Sequence, residues 1–511
     1  MGWKDTAEPL LTRMPAVQRP EGHVPFKRKL AWTAGVLVLY FFLTNVFLFG
    51  LGGGGGQDIF GQFRSILAGG QGTVMQLGIG PIVTASIVLQ LLGGADLLGL
   101  DTQNNPRDQV LYQGLQKLLV LVMICLTGLP MVFAGGFLPA DPAVAQSLFG
   151  SRSATGLVKW LMFAQIFVGG VLILYMDEVI SKWGVGSGIG LFIIAGVSQQ
   201  LIGGLVSVQA IGANQAGLLP TWLAMLVGDI SLGSIPIAQD PQIGSILSAS
   251  GLQNLLFGSG QIIALVTTLL IFAVVVYAES VRVEIPLSNT RVKGARGRFP
   301  VKLIYASVLP MILVRALQAN LQFLGRILYA QLGEAGMPAW LGQYQESGGG
   351  VSQPTGGLFY YLAPIRDPND WMWFIGAGGG AEAWQILLRI GIDLTFMVIG
   401  GAIFAIFWVE TTDMGPEATA KQIHNSGMEI PGFRRNVSVI EKVLERYIPQ
   451  VTVIGGALVG LLAVMANMLG TIGGVSGTGL LLTVSITYKI YEEIAEEQLM
   501  EMHPMMRQMF G

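Results

Sequence analysis

The feature that most constrains this chain is a recurring length. Ten apolar runs of about twenty residues follow one another at 30–49, 74–93, 111–134, 155–176, 187–206, 260–280, 301–324, 386–409, 450–470 and 475–491. A helix needs about 20 apolar residues to cross a hydrocarbon core of about 30 Å. Charged residues make up 12% of the 511 positions and hydrophobic ones 52%, whereas soluble domains are about a quarter charged. The pattern predicts an all-α membrane protein with ten transmembrane helices and excludes a soluble enzyme. The 71 glycines suit such helices, because glycine lets them pack closely and bend locally. The single cysteine, Cys125, rules out an intramolecular disulfide framework.

The loops orient the spans. Six Lys and Arg precede the first run, six lie in 279–302 and five in 410–449, while 207–259 and 471–475 contain none. With ten spans every basic segment falls on one side, which the positive-inside rule makes cytoplasmic, together with both termini. The expected organisation is a cytoplasmic segment 1–29, a first five-span half 30–206, an external loop 207–259, a second five-span half 260–491 with cytoplasmic loops 282–302 and 410–449, and a cytoplasmic tail 492–511. Residues 325–385 read as a second external loop with glycine-rich turns. The first 29 residues carry no cleavable signal pattern. Leu10, Leu11, Met14 and Val17 recur there at helical spacing. A short amphipathic helix on the membrane surface and a disordered tail both fit. Five glycines at 52–56 precede "QDIFGQFRSIL", too short to span and too apolar for an ordinary loop, which reads as a short helix packed in or near the protein.

The chemistry excludes several classes. His23, His424 and His503 all lie in expected cytoplasmic segments, so no span offers a serine–histidine dyad or a metal site. "GVGSGIG" at 184–190 lacks the GxGxxG spacing and follows no strand. Ionisable residues in spans mark proton and ion pathways, but here they are few: Arg315, Asp393 near the outer end of the eighth run, and Lys159 near the outer end of the fourth. A secondary transporter for a small solute stays open as the alternative, since broken helices are common in that class. Aliphatic pairs four apart, Ile79 with Val83 and Ile189 with Ile193, share a helix face and follow glycines. In "LGIGPIVTASIVLQLL" the breakers Gly78, Gly80 and Pro81 imply an interrupted helix. Such a helix is tolerated at membrane depth only where its backbone is covered or lines a cavity.

Several long motifs carry a resemblance. "LGIGPIVT", "DEVISKWGVGSGIGLFIIAGV" (177–197), "VYAESVRVEIPLS" (276–288), "FWVETT" (407–412), "RYIPQVTV" (446–453) and "GTGLLLTVSI" (477–486) occur in order over nearly the whole chain. Together they resemble the SecY family, pore-forming subunits of protein translocases, in the archaeal form. The outer loops are longer and richer in glycine than that pattern.

The resemblance implies two pseudo-symmetric halves, spans 1–5 and 6–10, around an hourglass channel with a plug half-helix. It implies a pore ring of Ile79, Val83, Ile189, Ile193, Ile312 and Leu482, a dewetted collar that resists ions. The plug at 58–67 would include Asp58, Ile59, Phe60, Phe63, Arg64, Ile66 and Leu67, hinged by Gly52–Gly56 and by Gly69, Gly70 and Gly72; plain surface-loop glycines are the alternative. Lateral-gate residues would be Thr84, Gln90 and Asn320, with Thr127 where the family often has a further polar or acidic residue. Ribosome binding would use Arg291, Lys293, Arg296, Arg298, Arg434 and Arg435, although the positive-inside rule alone would also place them. Implied partners are SecE-like and SecBeta-like small subunits, the ribosome and its RNA, signal peptides, nascent polypeptides and membrane lipid. No catalytic site, cofactor or metal is implied, and the location would be the cytoplasmic membrane. Arg315, one turn from Ile312, has no family role; a helix-end carbonyl, a polar outer funnel and snorkelling to water are all open to it.

Overall fold

The computed structural model describes residues 8–9, 11–22, 24–52, 63–94, 98–100, 105–134, 137–207, 217–227, 230–232, 235–238, 255–256, 261–289, 296–304, 309–346, 351–366, 368–375, 381–412, 414–425, 428–429 and 437–502. Ten long helices stand where the ten apolar runs predict them. They are Phe26–Thr44, Gly80–Gly94, Pro106–Phe133, Thr155–Trp183, Gly188–Val206, Ile262–Ser280, Leu309–Gly336, Ala383–Thr411, Val437–Leu469 and Gly477–Met502. They are numbered below as spans 1 to 10. Local chemistry sets several ends. Asn105 caps span 3 by accepting from the Arg107 N–H at 3.1 Å, with Pro106 at the first helical position. Ser187 accepts from the Gly190 N–H at 3.3 Å to start span 5. Glu382 and Gln385 form a reciprocal capping box on span 8.

Six of these helices, spans 3, 4, 5, 6, 8 and 9, are long and apolar enough to cross a membrane by length and composition among the described residues. Spans 1, 2, 7 and 10 fall short of that measure. Span 2 has only 15 residues. Span 7 carries Arg315, Gln318, Asn320 and Gln322. Span 2 is apolar and falls short by length alone, whereas Arg315, Gln318 and Gln322 of span 7 are buried in the protein.

Several boundaries differ from the sequence expectation; the run 301–324 becomes helix only at Leu309, because Arg296–Lys302 is a strand. The expected run 74–93 is helical only from Gly80, because Gly78 takes φ 54° and 68–79 is irregular. Span 7 continues through 325–336, which the sequence places in an external loop, and Gly333 at φ 68° breaks its outer end. Span 9 begins at Val437, so the loop 410–449 contains the helix Pro416–Asn425 and the first turns of span 9. Span 10 runs on to Met502, so the expected tail 492–511 starts as helix. Its acidic stretch is anchored: Glu492 pairs with Lys302 and Glu497 with Lys29.

The described part of the N-terminal segment packs on the protein. Leu11 is buried against Gly114 of span 3. The chain then crosses the ends of spans 3 and 4. Lys117 Nζ donates to the Pro15 carbonyl at 3.1 Å, Lys182 Nζ to the Val17 carbonyl at 2.6 Å and Trp183 Nε1 to the Gln18 carbonyl at 2.9 Å. Leu10 lies outside the described residues.

Each half packs on itself before it meets the other. In the first, spans 2 and 3, 3 and 4, and 1 and 4 are neighbours; in the second, 8 and 9, 7 and 8, 9 and 10, and 6 and 10. Spans 8 and 9 approach backbone to backbone. A Cβ on Gly401 would stand 2.6 Å from the Gly456 carbonyl oxygen, and one on Gly460 2.4 Å from that of Met397. Small residues permit this where no hydrophobic force drives helices together in lipid. Gly460→Val should therefore cost about 1–3 kcal/mol by overpacking and lower the melting temperature of the detergent-solubilised protein. Gly391→Val, on the same pair of spans but with nothing within 4 Å of its Cβ, should leave it unchanged.

Candidate functional site

The two halves touch along two seams. Span 5 packs on span 10, and span 2 packs on spans 7 and 8. The six aliphatic side chains singled out in the sequence come from four of the five spans at these seams: Ile79 at the entry to span 2, Val83 on it, Ile189 and Ile193 on span 5, Ile312 on span 7 and Leu482 on span 10. Five of the six belong to the main apolar core, which draws on every span, and Ile189 packs against it. Five of them are 0–3% exposed, and Ile189 is half-buried. No polar side chain is needed to hold them, and nonspecific contact of this kind has no preferred direction.

Phe63, Ile66 and Leu67 belong to the same cluster. Ile66 and Leu67 lie in the one-turn helix Arg64–Leu67, which follows directly on Phe63 and ends at Ala68 in the left-handed region, φ 53°. This helix packs on spans 5 and 10. Its last carbonyl, of Leu67, accepts from the Ile79 N–H at 2.8 Å. A Cβ at position 78 would stand 2.1 Å from that same oxygen, and φ there is positive, so only glycine fits. Arg64 is half-buried. Asp58, Ile59 and Phe60 lie outside the described residues.

The irregular stretch 68–79 sits deep in the first half with its backbone satisfied. The Leu48 N–H donates to the Gly72 carbonyl at 2.8 Å, the Val74 N–H to the Val46 carbonyl at 2.9 Å, Tyr40 Oη to the Ala68 carbonyl at 2.9 Å and the Gly72 N–H to Gln76 Oε1 at 2.5 Å. Non-helical backbone is tolerated at such depth only when covered in this way.

At the span 2–span 7 seam Asn320 Nδ2 donates to Thr84 Oγ1 at 3.0 Å, and the Thr84 hydroxyl donates to the Gly80 carbonyl at 2.9 Å. Gln90 is buried, and its Oε1 has no hydrogen-bond partner among the described residues. Thr127 is half-buried on span 3, eleven residues and so about three turns from Gln116. It therefore lies on the helix face from which Gln116 Nε2 reaches Ser86 Oγ of span 2 at 3.4 Å. The structure thus brings together Thr84 and Asn320, and gives Thr127 and Gln90 no bond to that pair among the described residues.

Arg315 meets none of its three sequence expectations. It is 1% exposed, which excludes snorkelling and an open funnel, and its partners are side chains. Nη1 donates to Gln318 Oε1 at 2.6 Å and lies 3.5 Å from Asp393 Oδ1, and Nε donates to Thr478 Oγ1 at 3.1 Å. Gln318 Nε2 also donates to Asp393 Oδ1, at 3.1 Å, and to the Leu362 carbonyl at 3.0 Å. The outer segment is fastened by the same set of spans. Gln322 donates to the Phe359 carbonyl at 2.9 Å, and Arg389 to the carbonyls of Ala363 at 3.0 Å and Pro364 at 2.8 Å. Sequence reading found Arg315 and Asp393 separately but missed Gln318, Gln322, Arg389 and Thr478. The available signal was the spacing 315, 318, 322, which places three polar side chains on one helix stripe.

The basic loops prove to be structured. Arg282–Asn289 and Arg296–Lys302 form an antiparallel hairpin in which Arg296 pairs with Ser288 and Arg298 with Pro286. Met428–Glu429 adds a third strand, Ser288 opposite Glu429 and Asn289 opposite Met428. The two basic loops therefore meet in one sheet. Arg291, Lys293, Arg434 and Arg435 lie outside the described residues.

Comparison with known proteins agrees with this geometry. Residues 73–491 match the family described as SecY, and residues 38–72 match that described as the plug domain of Sec61p. The chain is 75% identical over 511 residues to "Protein translocase subunit SecY" of Haloarcula marismortui, covering 100% of both. A solved structure described as "The structure of a protein conducting channel" superposes with TM-score 0.75 at 37% identity, over 97% of this chain and 98% of that one. Another, "Sec61 in the Canine ribosome-channel complex from the endoplasmic reticulum", superposes with TM-score 0.72 at 37% identity over the same shares. With the motifs, the ten-span fold and the match over most of its length, the chain belongs to the SecY family.

Proposed function

We propose that this chain is the pore-forming subunit of a protein-conducting channel, one that passes unfolded polypeptide across the cytoplasmic membrane and releases apolar segments sideways into lipid. The observation that carries the reading is the burial of aliphatic side chains from spans 2, 5, 7 and 10 where the two halves meet, with Ile66 and Leu67 in the same apolar core. An aliphatic collar excludes water and ions at rest, and its contacts, being nondirectional, re-form around any passing side chain. Ile79, Val83, Ile189, Ile193, Ile312 and Leu482 are the ring, and 58–67 is the plug. The chain has no catalytic role, and the work of transport comes from partners.

Thr84 and Asn320 latch the lateral gate, with Gln90 and Thr127 on its walls. An interhelical hydrogen bond in a membrane is worth about 0.6–1 kcal/mol, small enough for an entering apolar segment to displace. Both termini and the three-stranded sheet face the cytoplasm, which follows from the basic loops. There Arg291, Lys293, Arg296, Arg298, Arg434 and Arg435 meet the ribosome's polyanionic RNA through salt-dependent contacts. The ribosome-bound Sec61 relative supports this partner, and SecE-like and SecBeta-like subunits complete the complex.

Single-channel conductance in planar bilayers tests the pore. The intact channel should be silent and a deletion of 58–67 should flicker open. Silence of both, together with exchange of a small solute across vesicles, would replace this reading by a transporter. Asn320→Ala tests the gate. It should lower the hydrophobicity that a graded Leu/Ala segment needs to partition into lipid by about 1 kcal/mol, read as the fraction inserted, and an unmoved threshold would remove the bond from the gate.

A further inference from the structure

An aliphatic ring cannot define its own register. Leucine and isoleucine contacts are nearly as favourable after a helix slides or turns a little, yet a resting seal requires each side chain in one place. Something directional near the ring has to fix the helices that carry it. On the second half that element is one layer outward. Arg315 follows Ile312 by three residues on span 7, and Thr478 precedes Leu482 by four on span 10. These separations are about 4.5 and 6 Å along their helices. The two spans run in opposite directions, so both residues lie on the same side of the ring, and the 3.1 Å bond from Arg315 Nε to Thr478 Oγ1 joins them there.

The layer is dry and reaches four of the five spans of the half. Arg315, Gln318, Asp393, Asn467 and Thr478 are 0–4% exposed. Asp393 brings in span 8. Asn467 brings in span 9, its Oδ1 accepting from the Thr478 N–H at 3.2 Å. Arg315 Nη2 and Asp393 Oδ2 have no hydrogen-bond partner among the described residues. A buried pair with atoms to spare is weak evidence of stabilisation, since well-packed apolar side chains would hold the helices as firmly. What a guanidinium adds is direction. Its planar fork sends Nε to one helix and Nη1 to another, and a lysine cannot reproduce that.

We propose that Arg315 is a positioning residue of the constriction. Clamped by Asp393 and Gln318, it joins spans 7 and 10 one turn outside Ile312 and Leu482 and so sets the second-half side of the ring. The inference rests on the reading of those side chains as the pore ring. Arg315, Gln318 and Gln322 bind span 7 to spans 8 and 10 and to the carbonyls of Leu362 and Phe359, whereas Asn320, about 140° around the helix, offers span 2 one bond.

The test compares Arg315→Lys and the double variant Arg315→Leu/Asp393→Leu with the wild type, each assembled with its small subunits. Arg315→Lys keeps the charge pair, and the double variant leaves no unpaired charge, so both should fold with melting temperatures near wild type. Both should nevertheless leak ions at rest, with open probability raised at least tenfold, and should translocate a substrate with a weakened signal sequence. A merely structural pair predicts a tight double variant, and that result would overturn the inference. Ile312→Ser serves as control. If it leaks while both test variants stay tight, the Arg315 inference fails alone; if it too stays silent, the ring reading fails with it.

Discussion

Everything in this molecule depends on one requirement: a backbone N–H or carbonyl at membrane depth must find its partner inside the protein. Helices meet it automatically, which is why the chain is mostly helix. Both halves nevertheless bury stretches that belong to no long helix, and two of these are covered by side chains or by a neighbouring backbone. Residues 68–79 are held by Tyr40, Gln76 and the backbone of 46–48. Residues 359–364 are held by Gln318, Gln322 and Arg389. These two stretches lie next to the spans that carry the ring. The site can be non-helical there because polar side chains on the neighbouring helices satisfy its backbone.

Apolar length explains what could be read from the sequence. Lipid-facing helices must be apolar for about twenty residues, so spans 3, 4, 5, 6, 8 and 9 announce themselves. The boundaries that moved include those of spans 2, 7, 9 and 10: Gly80 instead of 74, Gly336 instead of 324, Val437 instead of 450, Met502 instead of 491. The extension of span 10 was hidden because acidic residues read as tail, while in the fold Lys29 and Lys302 neutralise two of them. The N-terminal segment shows the converse. Its apolar spacing is real, but Leu11 uses it on Gly114, where a helix without a side chain offers a groove.

At the site, local pattern revealed residue types and not partners. The aliphatic pairs in spans 2 and 5 were visible as spacing, but their convergence with Ile312 and Leu482 depends on which helices form the seams, a tertiary fact. Arg315 stood out as a charge in an apolar run and could not be placed, because its counter-ion lies 78 positions away on span 8. Thr84 and Asn320 are separated by 236 positions. Long-range polar pairs of this kind leave no periodicity to detect.

The third strand that Met428–Glu429 adds to the hairpin has a mechanical consequence. The hairpin ends at Lys302, and span 7 begins seven residues later at Leu309. A load applied to the 410–449 loop is therefore shared through backbone hydrogen bonds with the hairpin, and the hairpin is a short lever on the root of the helix that bears Ile312, Arg315 and Asn320. Two loops far apart in sequence act as a single handle on one helix.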